Sequence, residues 1–69
     1  MNKIPRILSL IQILYQNEEI TTEQKNQFVS LLSKARKERD FSELNKQFKF
    51  LAYGTLLPDT VDELIQLTS

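Results

Sequence analysis

The first quarter of the chain carries apolar residues at the three- and four-residue spacing of an α-helix. When each residue advances by about 100°, one stripe collects Ile4, Ile7, Leu8, Ile11, Leu14 and Tyr15. Pro5 lies in the first turn, where its missing N–H costs little, and we expect the helix to end near Asn17. Leu10 and Ile13 widen the apolar arc beyond what a surface helix needs. Either this helix is central and flanked by all the others, or part of it contacts a partner.

A capping-box pattern marks the start of a second helix. Thr21 is followed three residues later by Gln24, and such a pair of side chains satisfies the unpaired N–H groups of a helix start. The pattern predicts a helix from about Thr22 to about Arg39. Its apolar positions form one stripe with polar residues opposite, typical of a surface helix. These positions are Phe28, Leu31, Leu32 and Ala35.

Two further helices follow. Asp40 with Glu43, or alternatively Ser42 alone, provides the cap of a third helix. The apolar face of this helix collects Phe41, Leu44, Phe48, Leu51 and Ala52. Gly54, the only glycine, lies where a left-handed helix end is expected. Pro58 and the acidic residues after it begin a short fourth helix. Its inward positions are Val61, Leu64 and Ile65.

These segments predict an all-α fold, a small bundle of four short helices in which three main helices precede a short C-terminal one. We assign residues 1–69 to a single helical domain. A shift of 37 positions superposes apolar residues of the two halves, for example Ile7 on Leu44 and Ile11 on Phe48. Two stacked helical hairpins would produce this match. The alternative is that any two amphipathic hairpins of similar length align in this way.

The composition removes most catalytic chemistry. The chain has no histidine and no cysteine, so the commonest general bases, nucleophiles and zinc ligands are missing. Its single glycine excludes a Gly-rich phosphate loop. Asp59 and Glu63 lie one turn apart at a helix start, where acidic pairs ordinarily complement the helix dipole rather than hold a cation. We therefore expect no enzyme activity, no catalytic residue, no metal, no cofactor and no small-molecule substrate.

The location of the protein is predicted from the same patterns. Hydrophobic residues make up 41% and charged residues 26% of the chain, which is ordinary globular usage without a membrane span. Lys3 and Arg6 precede an apolar run, as in a secretory signal. However, no small-residue cleavage site follows, and Ser9 and Gln12 interrupt the run. We expect a soluble, cytoplasmic protein.

Three surfaces differ from what a minimal bundle needs. Two are the additional apolar surface of helix one and an arc of helix three turned away from its core stripe. The third is the basic run from Lys34 to Arg39, which the ordinary preference for cations near a helix C-terminus also explains. The candidate partner-binding residues are Leu10 and Ile13 on helix one and Lys46, Lys49, Phe50 and Tyr53 on helix three. The alternative for helix three is that Phe50 and Tyr53 pack under helix four while the two lysines remain in water.

These surfaces favour a non-enzymatic protein–protein interaction module, such as an adaptor, a regulatory domain or a subunit-docking domain. It would bind a partner helix or a second copy of itself, with Leu10 and Ile13 as anchors. Lys46 and Lys49 would attract an acidic peptide if the two surfaces are contiguous. The alternative is a nucleic-acid-binding module that uses the basic stretch from Lys34 to Lys49. Its candidate residues are Lys34, Arg36, Lys37 and Arg39. A net charge of zero argues against a dedicated nucleic-acid binder.

Overall fold

The computed structural model describes residues 2–69, which form four α-helices and contain no strand. The helices are α1 (Ile4–Gln16), α2 (Thr22–Glu38), α3 (Ser42–Leu51) and α4 (Pro58–Thr68). The predicted all-α bundle is therefore confirmed. Within residues 2–69, each helix falls short of the length and apolar character that a bilayer crossing requires.

Hydrogen bonds of neighbouring side chains mark where helices begin. The capping box at α2 is formed: the backbone N–H of Thr21 donates to Gln24 Oε1 at 2.8 Å, and the backbone N–H of Gln24 donates to Thr21 Oγ1 at 3.1 Å. Before α3, Asp40 does not pair with Glu43. Its carboxylate accepts hydrogen bonds from the hydroxyl and the backbone N–H of Ser42, the latter at 3.0 Å. Asp40 thus closes the turn that precedes α3.

The left-handed helix ends do not coincide with the glycine. Glu18 after α1 and Arg39 after α2 adopt φ values of 60° and 56°, the conformation that Gly usually supplies at a helix end. The prediction of a left-handed cap at Gly54 is wrong, because that residue has no positive φ. After α3 the chain continues right-handed through Ala52, with φ −60° and ψ −24°. The left-handed residues therefore lie directly after α1 and α2, and not after α3.

The helices pack as a closed ring. α1 contacts α2 and α4, α3 contacts the same two helices, and α1 and α3 lie at opposite corners. One interpretation of the wide apolar arc was that all the other helices flank helix one. This interpretation is wrong, because among the helices of residues 2–69 α1 contacts only α2 and α4. The arc faces two neighbours at once, which buries Leu10 to 2% exposure. The prediction that Leu10 contributes to an exposed surface is wrong, while Ile13 stays 37% exposed.

The apolar core draws on all four helices. Its buried members are Ile7, Leu10, Ile11, Leu14, Ile20, Phe28, Leu32, Leu44, Phe48, Val61 and Leu64. The rings of Phe28 and Phe48 meet with a centroid separation of 5.1 Å and a tilt of 36°, a favourable aromatic geometry. Because α2 and α3 meet through these rings, neither helix can shift without opening the core.

A bidentate ion pair joins α1 to α4 at the surface. The guanidinium of Arg6 donates to both carboxylate oxygens of Glu63, at 2.5 and 2.8 Å. These hydrogen bonds lower the pKa of Glu63, although desolvation acts in the opposite direction. The pKa of Asp40 is lowered as well, because the hydroxyl and the backbone N–H of Ser42 donate to its carboxylate. Glu63 therefore serves an interhelical contact, not a cation site with Asp59.

The lowered carboxyl pKa values predict acid sensitivity. A carboxyl group whose pKa is lower in the folded protein than in the unfolded chain stabilises the fold at pH values above its unfolded-state pKa. This stabilisation is lost as the pH falls through the folded-state pKa. Since the ordinary values are 4.5 for Glu63 and 3.8 for Asp40, we expect the free energy of unfolding to fall chiefly below pH 4.5. Urea unfolding of the wild type and of Glu63→Gln over an acidic pH series measures how the free energy of unfolding depends on pH. Glu63→Gln should show the shallower pH dependence, and equal slopes would contradict the assignment.

The left-handed residues predict a stabilising substitution. Glu18→Gly should raise the free energy of unfolding by about 0.5–1 kcal/mol, because the left-handed conformation costs a residue with a Cβ more than it costs glycine. Urea denaturation with a common slope for both proteins measures the difference. Gly54→Ala is the matched control, since an added Cβ there meets no heavy atom within 4 Å, and it should not destabilise the fold. A loss of stability in Glu18→Gly would refute the prediction.

Candidate protein-binding surface

The outer face of α3 is exposed, as the helical spacing predicts. Phe50 is 62% and Tyr53 is 89% exposed, and Lys46 and Lys49 are exposed beside them. The alternative in which the two aromatic rings pack under helix four is wrong. A role for this face in binding remains a prediction.

The position of α4 explains why the aromatic rings stay outside. Asn45 Nδ2 on α3 donates a hydrogen bond of 2.9 Å to the carbonyl oxygen of Ile65 on α4, so the Asn45 side of α3 faces α4. Phe50 follows five residues later and points about 140° away from that side. α4 is therefore held on one flank of α3, and Phe50 lies on the other flank, towards α2.

Phe50 borders a groove between α2 and α3 of about 680 Å³. We call this the α2–α3 groove. Its apolar lining consists of Phe28, Leu31, Phe50 and Leu51, and its polar lining includes Gln27, Lys34, Glu43 and Gln47. α3 has 10 residues and is therefore about 15 Å long, which is enough to contact about three turns of a partner helix.

A second concave surface lies on the other side of the same ring. It has a volume of about 250 Å³, and Phe50 shares its lining with Leu14, Ile20 and Val61 from the core and with Gly54 and Thr55 from the α3–α4 connection. Phe50 therefore stands as a ridge between two depressions. A partner side chain on either side of the ring would contact it, because both depressions are bordered by the same phenyl group.

Leu56 is a further exposed apolar residue near the end of α3, and it was not among the predicted binding residues. Leu56 is 84% exposed, yet its backbone is held: the Glu19 carboxylate accepts hydrogen bonds from the Thr55 hydroxyl at 2.6 Å and from the Leu56 N–H at 2.9 Å. The side chain is thus presented to solvent by an ordered connection. Two adjacent leucines in a short turn cannot both face a core, and this signal at Leu56 and Leu57 was available in the sequence. We call Phe50, Tyr53 and Leu56 the apolar edge.

The remaining predicted binding residue of helix one is not part of this surface. Ile13 is on α1, at the corner of the bundle opposite α3. The idea that the helix-one surface and Lys46 and Lys49 are contiguous is therefore wrong. In a four-helix ring, two diagonal helices present their exposed sides in different directions.

The basic residues near the end of α2 do not form one face. Lys34 lines the α2–α3 groove, whereas Arg36 and Arg39 line a different cavity at the start of α1. Lys37 is exposed and points about 100° away from Arg36. The helix therefore distributes the candidate nucleic-acid-binding residues over three directions.

Residues 2–69 contain no cluster of three or more potential metal ligands among their acidic side chains, and their buried side-chain nitrogen and oxygen atoms all have hydrogen-bond partners. No protein-family model, curated protein or solved structure matches the chain. The function is therefore argued from the exposed side chains alone.

Two phenylalanines on α3 provide a test of what is core and what is surface. Phe48 is 0% exposed, so Phe48→Ala should cost about 3–5 kcal/mol of unfolding free energy. Phe50→Ala should cost at most about 1 kcal/mol, because only a minor part of that ring is buried. Urea denaturation of both variants measures the contrast. A cost for Phe50→Ala close to that of Phe48→Ala would assign Phe50 to the core and remove it from the candidate surface.

Proposed function

We propose that this chain is a non-enzymatic protein-interaction module of the cytoplasm that binds an amphipathic helix of another protein. The helix would lie in the α2–α3 groove and cover the apolar edge. Phe50 would be the central anchor, with Tyr53 and Leu56 at one end of the contact. Binding of this kind uses apolar side chains at positions i, i+3, i+4 and i+7 of the bound helix.

The observation that carries the proposal is the exposure of Phe50, at 62%, on an ordered helix between two depressions. Full burial of a phenylalanine side chain is worth about 1.5–3 kcal/mol, and the larger part of this gain is still open to a partner because Phe50 is 62% exposed. Aromatic residues, phenylalanine among them, are enriched in protein interfaces. Since the supporting helix is already formed, a partner would not have to order it.

Charge further specifies the partner. Lys46 and Lys49 flank the apolar edge on the outer side of α3, and the groove itself carries the opposite charges Lys34 and Glu43. A helix with acidic residues along one margin of its apolar face complements this arrangement. The two lysines would mainly raise the association rate, because exposed charges steer encounter more than they add affinity.

The nucleic-acid alternative has less support. A binder of this class needs cations aligned along a groove or a stripe, whereas Lys34, Lys37 and the pair Arg36 and Arg39 point in different directions from α2. Lys46 and Lys49 lie on another helix, and a net charge of zero gives the chain no general attraction for a phosphate backbone.

Site-specific photocrosslinking tests the proposal. A photoreactive phenylalanine analogue replaces Phe50 in the full chain, which is expressed in its native cell and irradiated. We expect a crosslink to one discrete protein through a helical segment. The additional replacements Tyr53→Ser and Leu56→Ser should reduce the yield at least about tenfold, as expected for the loss of about 1.4 kcal/mol of binding free energy.

The matched control places the same analogue at Val29. This residue is 38% exposed on α2 but does not line the α2–α3 groove. Equal crosslinking from positions 29 and 50, or none from position 50, would refute the proposal. A crosslinked dimer, together with sedimentation as a dimer, would show instead that a second copy of the chain covers the groove.

A further inference from the structure

We infer that a cationic cavity at the start of α1 binds a doubly charged phosphate group. The cavity has a volume of about 780 Å³. It is lined by Asn2, Lys3, Ile4, Arg36, Arg39 and Phe41. Three of these six residues are cations and none is acidic. We call it the cationic cavity, and it shares no lining residue with the α2–α3 groove.

The three cations converge because of the fold. Lys3 precedes α1, Arg36 lies in the last turn of α2, and Arg39 follows that helix directly. The α1–α2 hairpin brings the first residues of α1 beside the last residues of α2, so side chains more than 30 positions apart in the sequence face one depression. The Lys3 ammonium lies 4.2 Å from the centroid of the Phe41 ring, which holds it at the cavity by a cation–π contact.

The three cations of this cavity form no salt bridge within residues 2–69. In that part of the chain the salt bridge is between Arg6 and Glu63, and neither residue lines the cavity. The carboxylates nearest to Arg39 in the sequence, Glu38 and Asp40, line a different depression, and Asp40 accepts hydrogen bonds from Ser42. Like charges that face one depression repel each other, and a bound anion would relieve that repulsion.

The backbone at Arg39 adds a separate observation. Its φ of 56° is left-handed, a conformation that glycine adopts at far lower cost. Arginine therefore occupies a position at which glycine would be less strained, and its side chain lines the cavity.

The arrangement of donors selects the chemical class of the anion. Guanidinium groups present N–H donors in a planar fork that matches two phosphate oxygens. Two such groups and an ammonium suit a phosphate monoester or a terminal pyrophosphate group, which carries nearly two negative charges at neutral pH. α1 also begins at this cavity with Ile4, and the N-terminal end of a helix favours negative charge.

Titration of the full chain with sodium pyrophosphate at low ionic strength tests the inference. We expect saturable binding by calorimetry, with amide chemical-shift changes confined to residues 2–6 and 36–41. The double variant Arg36→Gln and Arg39→Gly should bind at least about tenfold more weakly, since each lost charge-assisted hydrogen bond is worth about that factor. Arg39→Gly removes backbone strain, so a loss of binding by this variant is not a loss of folding.

The matched control is the double variant Lys46→Gln and Lys49→Gln, which removes the same number of positive charges from α3. Its affinity for pyrophosphate should stay within about twofold of the wild type, because Lys46 and Lys49 do not line the cationic cavity and cannot donate a hydrogen bond to an anion bound there. Equal weakening in both double variants would show general charge attraction and overturn the inference. The absence of saturable binding at low ionic strength would overturn it as well.

Vesicles distinguish the two sources of such a group. Phosphatidylcholine vesicles that contain phosphatidic acid present it as a lipid headgroup, and pyrophosphate presents it free in solution. The site is assigned to a lipid headgroup if the protein binds vesicles more tightly than pyrophosphate and if the double variant of Arg36 and Arg39 no longer binds vesicles. Pyrophosphate binding without vesicle binding assigns it to a free phosphate compound, and either result supports the cationic cavity.

Discussion

α3 and α4 have 10 and 11 residues, and helices this short are unstable in water unless an apolar stripe packs against other helices. The chain has no cysteine or histidine to supply a disulfide or a zinc site, so packing alone must hold them. The stripes meet in a single core, with the Phe28 and Phe48 rings in contact between α2 and α3. This shared core explains the closed ring, because each helix covers one flank of two neighbours.

The ring also explains which apolar side chains remain outside. α3 must turn Leu44 and Phe48 inward and must also keep Asn45 against α4. At about 100° per residue, these requirements direct Phe50 towards the α2 side and out of the core. Glu19 then holds the α3–α4 connection with Leu56 exposed. The exposure of the apolar edge is therefore a geometric consequence of core packing.

Charge follows the same geometry. A chain with a net charge of zero has no overall electrostatic preference for an anionic partner, so any such preference must come from local arrangement. The α1–α2 hairpin brings Lys3 to Arg36 and Arg39, while the helical rotation of α2 separates Lys34 from both. The two proposed sites use different parts of the surface. The apolar edge lies on α3 and in the α3–α4 connection, and the cationic cavity lies between the beginning of α1 and the end of α2.

The sequence by itself determined the helices, because periodicity and capping are local properties. The Thr21 and Gln24 capping box was predicted from spacing alone, whereas spacing placed Phe50 off the core stripe of α3 and left open whether helix four covers it. Tertiary structure decided which arcs are covered, since burial depends on the neighbours of a helix and not on its own pattern. Leu10 is buried because α1 faces α2 and α4 together, and the left-handed helix ends fall at Glu18 and Arg39 and not at the only glycine. For the same reason, only the packed bundle shows that Lys3 and Arg39 face one cavity.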